Sequence, residues 1–278
     1  MSTENTETVI SINHVSKVYK LFEKPMDRLK ESLSLTHKNY HTDHFALEDI
    51  SLEVHKGECV GIIGTNGSGK STLLYTVSGM DSLTAGQIDF FGKDLSTLSP
   101  TQISEVRLEE MGFIFQQMYM LKNLSIYDNI ILPAYQSKKN KGKRQQVDDH
   151  AKKLMQKMGI SEIAENGVNE VSGGQLQRAC ICRSLINYPR MIFADEPTGA
   201  LNQQNSREVM RELVRINREG TTIMLVTHDM RVAAKSDRVL YIEDGTIKGE
   251  YTFGKFASEE ETREREKQLS GWLMEMGW

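Results

Sequence analysis

The sequence predicts an α/β fold, and three observations predict it. Short β-branched or aromatic runs alternate with longer stretches of helical pattern. Three of the short runs (58–63, 191–194 and 222–226) are nearly all apolar at their centres, as parallel strands covered on both faces must be. The first of these runs straight into a glycine-rich loop and then a helix.

Taken in order, the β-branched run 9–15 reads as the opening strand, and a further run follows at 46–54. The apolar run 58–63 is a central strand, and 71–78 is the helix after its loop. Aromatic runs place strands at 87–91 and 113–116, with a helix at 101–109 between them. Helices at 146–158 and 174–185 precede the apolar strand 191–194. A helix at 206–218 joins it to 222–226, and 239–242 is the last strand expected. No internal repeat is present.

Three stretches stand apart. Residues 21–45 form an insertion in which Pro25 precedes Met26, Leu29 and Leu33 at helical spacing, followed by a His-rich segment. Residues 137–144 are a basic run. After Gly254, Ser258 and Glu261 have capping-box spacing, and Leu269, Leu273 and Met276 share a helical face with Trp272 and Trp278 beside it. The organisation expected is one domain over 1–254 and an amphipathic helical tail over 255–278.

Bulk properties exclude several classes. The 278 residues carry 34 basic and 38 acidic side chains, a net charge of −4, so there is no overall basic field and no nucleic-acid partner is expected. The first residues are polar, unlike a secretory signal. No apolar run approaches the roughly 18 residues of a membrane span. The expectation is a soluble chain that serves any membrane process through a partner. Cys59, Cys180 and Cys182 read as buried reduced thiols rather than a disulfide framework or metal site.

The chemistry sits first in Gly64-Thr65-Asn66-Gly67-Ser68-Gly69-Lys70-Ser71, the complete G-x-x-x-x-G-K-[ST] pattern between a strand and a helix. Glycines let backbone N–H groups turn toward phosphate oxygens, and the helix N-terminus adds partial positive charge. Lys70 can reach the β- and γ-phosphates of ATP, and the Ser71 hydroxyl can ligate Mg2+. Thr72, next along the helix, joins the nucleotide contacts. The second element is Met191-Ile192-Phe193-Ala194-Asp195-Glu196, a buried strand ending in two carboxylates. Asp195 suits the Mg2+ shell and Glu196 suits activation of the attacking water.

At Val171-Ser172-Gly173-Gly174-Gln175 the sequence resembles the ABC signature, usually Leu-Ser-Gly-Gly-Gln, at the family's usual spacing before Asp195. The resemblance runs from Val9 to about Glu250. It implies a P-loop NTPase of ABC type, with a RecA-like core, an antiparallel β subdomain and a helical subdomain over about 117–171. It implies that Gln116 is the Q-loop glutamine, contacting nucleotide and Mg2+ and coupling them to the helical subdomain. It implies that His228 is the switch histidine, acting with Glu196, and that Tyr19 stacks on adenine. Ser172, Gly173, Gly174 and Gln175 would meet the γ-phosphate held by a second copy, so the resemblance implies a homodimer that closes on ATP and opens on hydrolysis. Two residues depart from the pattern. Val171 replaces leucine, and Asn202 stands where the D-loop carries aspartate, keeping the size but losing the charge.

Four runs resemble one branch of that family: Ser78-Gly79-Met80-Asp81, Gly112-Phe113-Ile114-Phe115-Gln116-Gln117, Ala194-Asp195-Glu196-Pro197-Thr198-Gly199-Ala200-Leu201 and Val226-Thr227-His228-Asp229. The branch holds macrolide exporters, lipoprotein-release complexes, FtsE-type cell-division ATPases and bacitracin-resistance ATPases. It implies an ATPase at the cytoplasmic face of the membrane, attached to an FtsX- or MacB-like permease and serving antimicrobial-peptide or lipoprotein export. The insertion points elsewhere, since Tyr19-Lys20-Leu21, Pro25 and Asp27-Arg28-Leu29-Lys30-Glu31 resemble the N-terminus of teichoic-acid and polysaccharide export ATPases. An FtsE-like ATPase that moves no substrate is the other alternative.

Two signals have plainer readings. His37, His41 and His44 would share a helical face, but a polar surface segment suits them better than a metal site. The basic run suits a solvated loop better than a contact with anionic lipid.

Overall fold

The computed structural model describes residues 7–33 and 39–278, which form two sheets with flanking helices. One sheet is antiparallel, in the order β2-β1-β4-β5, from β1 (Thr8–Phe22), β2 (His41–His55), β4 (Ala85–Phe90) and β5 (Lys93–Asp94). The other runs β10-β9-β3-β8-β7-β6, from β3 (Cys59–Ile63), β6 (Met111–Phe115), β7 (Met191–Asp195), β8 (Thr222–Thr227), β9 (Arg238–Glu243) and β10 (Thr246–Thr252). It is parallel from β9 through β6, and only β10 pairs antiparallel.

Every residue of β3, β7 and β8 is buried. Alternate side chains enter different cores, as the two-residue period of a strand requires. Met191, Phe193, Met224 and Val226 meet the antiparallel sheet and helix α2 (Lys70–Val77), through its Leu73, Leu74 and Val77. Ile192, Ala194, Ile223 and Leu225 meet the opposite layer. There lie α4 (Ile126–Gln136), α5 (Arg144–Lys157), α6 (Gly173–Leu185) and α7 (Gln203–Arg218). Burying each such Ile, Val or Leu contributes about 1.5–3 kcal/mol.

The opening hairpin is longer than its apolar run suggested. β1 and β2 stay paired out to Phe22 opposite His41, beyond the core. Between them lies α1 (Pro25–Leu33), which buries no residue. Glu31 ties it down by accepting from the Tyr40 N–H at 2.7 Å, and its Oε2 is 2.6 Å from His41 Nδ1. His41 and His44 therefore lie on a strand, three residues apart and on opposite faces, and do not share a helical face. His37 lies outside the described residues.

Helix α3 (Pro100–Glu110) starts from a Ser99–Gln102 capping box. Two of its acids pin the basic run, because Glu105 pairs with Lys138, and Glu109 with Lys139 at 3.1 Å. After β8 comes α8 (Met230–Ala233), and the tail carries α9 (Thr262–Glu275). Leu269 and Leu273 of α9 are buried against Ile63, Ala233, Val239 and Tyr241. The capping box expected at Ser258 does not form, since the Ser258 side chain caps nothing. Glu261 is drawn instead to Arg265 Nε at 3.0 Å, and Glu259 to Lys235 Nζ at 2.5 Å. Among the described residues no helix is long and apolar enough to cross a membrane.

Candidate active site

The site forms at the C-terminal ends of the parallel strands, where an open α/β sheet presents its crevice. The loop after β3 is the glycine-rich one. A Cβ on Gly64 would lie 2.3 Å from the Ile242 carbonyl oxygen, and one on Gly69 would lie 2.6 Å from that of Ala46. Gly69 also sits at φ +103°, where side chains are strained. It N-caps α2 with no side-chain cap bond, which leaves the first amides of that helix for an anion. Ser68 Oγ is buried with no hydrogen-bond partner.

These elements border a cleft of about 550 Å³, lined by Tyr19, His44, Ala46, Asn66, Gly67, Gly69, Lys70, Ser71, Thr72, Gln116, Glu196 and His228. Lys70 is mostly buried and bends back to donate to the Thr65 carbonyl at 2.7 Å. Burial lowers its pKa, opposed by nearby Glu196 and Asp195. Asp195, at the end of β7, is 8% exposed. Ser71 donates to its Oδ1 at 2.9 Å, and the Tyr75 hydroxyl donates to its Oδ2 at 2.5 Å. Burial first, and then Asp195, push the Tyr75 phenol up.

Glu196 follows at φ +47°, a conformation that costs a non-glycine residue free energy. Its N–H donates to the Val226 carbonyl at 3.0 Å. His228, just past β8, brings Nδ1 within 2.8 Å of Glu196 Oε1. Gln116, just past β6, lies close enough to Gly199 that a Cβ there would sit 2.8 Å from its Nε2. At the other end of the cleft, Tyr19 pairs in register with His44. Its hydroxyl donates to Asp81 Oδ2 at 2.5 Å, and Lys17 Nζ lies 4.8 Å from its ring centroid. Burial first, then Asp81, push the Tyr19 phenol up to about 12.

The residues present fit a Mg–nucleotide. Ser71 and Asp195 offer hard oxygen donors 2.9 Å apart, and Gln116 lines the same wall. Among the described residues no group of three or more His, Cys, Asp or Glu could hold a metal, so phosphate and water would complete the shell.

Ser172, Gly173, Gly174 and Gln175 are not brought to this cleft. They start α6, where Ser172 Oγ accepts from the Gln175 N–H at 3.3 Å and Gln175 Oε1 accepts from the Ser172 N–H at 3.0 Å. Ser172 and Gly173 are exposed. Sequence reasoning missed His44 and Ala46, which line the cleft, and Tyr75, which bonds Asp195 behind it. Tyr75 was recoverable, because it lies one helical turn from Ser71, at i and i+4.

A family model described as ABC transporter matches residues 47–199. The macrolide export ATP-binding/permease protein MacB of Psychrobacter cryohalolentis is 40% identical over 205 residues, 74% of this chain and 30% of that protein. MacB of Salmonella typhimurium is 41% identical over 201 residues, 72% of this chain and 31% of that protein. The chain thus spans about a third of the length of the curated relatives it matches. Among solved structures, the dimeric bacterial ABC transporter cassette MJ0796 aligns with a TM-score of 0.73 and 30% identity, covering 87% of this chain and 98% of that one. The same cassette as a post-hydrolysis dimer bound to ADP and Pi aligns with a TM-score of 0.72 and 29% identity over the same shares.

Proposed function

This chain belongs to the ABC transporter family and is an ATPase of that family, and from that premise we propose that it energises a membrane permease. The observation that carries the mechanism is the meeting of Glu196, His228, Ser71 and Lys70 around one cleft, with Asp195 bonded to Ser71. The loop amides and Lys70 hold the β- and γ-phosphates, and Tyr19 takes the adenine. Ser71, Asp195 and Gln116 hold Mg2+, which when bound offsets phosphate charge. Glu196 accepts the proton of the attacking water as its oxygen bonds the γ-phosphorus and the bond to the β-phosphate oxygen breaks. His228 holds Glu196 in place. Phosphate release over wild type and Glu196→Gln tests this, and equal turnover by the two would overturn it.

The working unit is a homodimer. The turn Ser172–Gln175, exposed at Ser172 and Gly173, lies outside its own cleft, which suits completion of a second copy's site, and the solved cassette named above is dimeric. Size-exclusion of Glu196→Gln with and without ATP reads this directly.

The relatives named for macrolide export join ATP binding and permease functions, which supports an FtsX- or MacB-like partner and a location at the cytoplasmic face of the membrane. Antimicrobial-peptide or lipoprotein export is the cargo class proposed. The resemblance of Tyr19-Lys20-Leu21, Pro25 and Asp27-Arg28-Leu29-Lys30-Glu31 to the N-terminus of such ATPases supports a second reading, a polysaccharide or teichoic-acid exporter. Purification from membranes with the bound permease, then transport in vesicles, separates the two and also tests an FtsE-like role without cargo.

A further inference from the structure

Both oxygens of the Asp195 carboxylate are held from one helix. Ser71 and Tyr75 lie one turn apart on α2, so their hydroxyls reach the same carboxylate from the same side. Ser71 takes Oδ1 and lines the cleft, whereas Tyr75 takes Oδ2 and does not line it. The phenol is not free to swing. Its ring stands 6.4 Å from that of Phe115, which in turn meets Tyr119 edge-on at 5.3 Å.

We propose that Tyr75 is a positioning residue that fixes the Asp195 carboxylate for Mg2+, occupying Oδ2 so that Oδ1 stays beside Ser71. Hydrogen bonds at both oxygens restrain rotation about the terminal bond, so less ordering remains to be done when the cation binds. Partners that orient a metal ligand in this way typically contribute about 10-fold or more to metal affinity. The phenol does not line the cleft, so it acts through Asp195. The inference rests on the ATPase reading given above.

The test uses the full chain in a Glu196→Gln background, so that hydrolysis does not complicate binding. A fluorescent ATP analogue is titrated in EDTA, and Mg2+ is then titrated into the nucleotide-loaded protein. Tyr75→Phe keeps the ring and removes only the hydroxyl. It is expected to bind the analogue like its parent in EDTA and to raise the Mg2+ midpoint by about 10-fold. Melting temperatures check folding, and Tyr75→Leu, also without a donor, serves the same comparison if the Phe variant does not fold. Phe115→Leu loosens the ring contact while leaving the hydroxyl, and its Mg2+ midpoint is expected to fall between those of the parent and Tyr75→Phe. An unshifted midpoint in a folded variant without the donor overturns the inference, as does an equal weakening in EDTA. A parent chain that binds no nucleotide in EDTA or Mg2+ overturns the ATPase reading itself.

Discussion

His228 Nδ1 lies 2.8 Å from Glu196 Oε1, joining the residues that follow two neighbouring strands, β7 and β8. The Glu196 side chain is 13% exposed, while that of His228 is 60% exposed. The histidine thus reaches in from the open side to a carboxylate already confined by its backbone. Glu196→Gln is expected to keep ATP affinity and lose turnover by about 10²–10⁴-fold, the range of a general base. His228→Ala should lose turnover too. Because the two act as a unit, the double variant should fall little below Glu196→Gln alone. Steady-state phosphate release beside equilibrium nucleotide binding checks all three, and additive losses would show that the residues act separately.

Two glycines of the phosphate loop make different demands. Gly69 has φ +103° and a Cβ site 2.6 Å from the Ala46 carbonyl oxygen, whereas Gly67 has φ +82° and open space. Gly67→Ala meets only the backbone strain, about 1–3 kcal/mol. Gly69→Ala meets that strain and a clash with main chain as well. Thermal melts should therefore rank Gly69→Ala below Gly67→Ala, with nucleotide binding lost first in Gly69→Ala. The reverse ranking would contradict the loop geometry.

Legibility from sequence followed how local each signal was. The phosphate loop was readable because its glycines, lysine and serine are contiguous, and β3, β7 and β8 because burial on both faces leaves continuous apolar runs. Helix α4 was missed because Pro133 lies inside it and reads as a breaker. Strand β10 was missed because it is a polar edge strand. The outer half of the β1–β2 hairpin has no core beneath it and so no alternation to read. The Ser258 box failed because Arg265, itself buried, took Glu261. At the site, the sequence placed Tyr75 one helical turn from Ser71, but its bond to Asp195 spans 120 residues, a separation that no local pattern carries.

The Lys17–Asp81–Tyr19 group predicts the pH response of the Tyr19 end of the cleft. Burial alone would raise the Asp81 pKa, but the bonds from Lys17 and Tyr19 outweigh it and hold it below its ordinary 3.8. The stability it contributes is therefore present above about pH 4 and lost as the pH falls through the depressed value. Tyr19 is raised from 10.0 to about 12, so its share is present below pH 10 and lost between 10 and about 12. In urea unfolding, Asp81→Asn should differ from wild type by a constant amount at pH 5–7, with the gap closing below pH 4. Tyr19→Phe should flatten the alkaline limb. A gap for Asp81→Asn that widens in acid would refute the sign.

The tail helix is part of the domain's packing. Leu269 is 0% and Leu273 1% exposed, and Arg265 donates to the carbonyls of Ser236, Gly254 and Lys255. Leu269→Ala or Leu273→Ala should each cost about 2–5 kcal/mol, as buried leucines do. Exposed Met274→Ala, on the same helix, should cost almost nothing. Similar melting temperatures for all three would mean that α9 is not docked in solution.

Asn202 sits where the tip of α7 meets the signature turn. Its Oδ1 accepts from the Asn205 N–H at 2.9 Å and so N-caps the helix. A Cβ on Gly174 would lie 2.6 Å from the Asn205 side chain, and one on Gly173 would lie 3.7 Å from Leu201. Asn and Asp cap about equally well, with a small gain for Asp from the helix dipole, whereas Ala loses about 1 kcal/mol. Asn202→Asp should therefore hold or slightly raise the melting temperature, and Asn202→Ala should lower it. The two should separate differently in turnover. If the missing charge limits the contact between copies, Asn202→Asp raises ATP turnover several-fold and lowers the protein concentration at which turnover per chain saturates. Turnover measured across a dilution series decides this, and a curve that superimposes on wild type would mean that the Asn202 amide already makes the contact that an aspartate would.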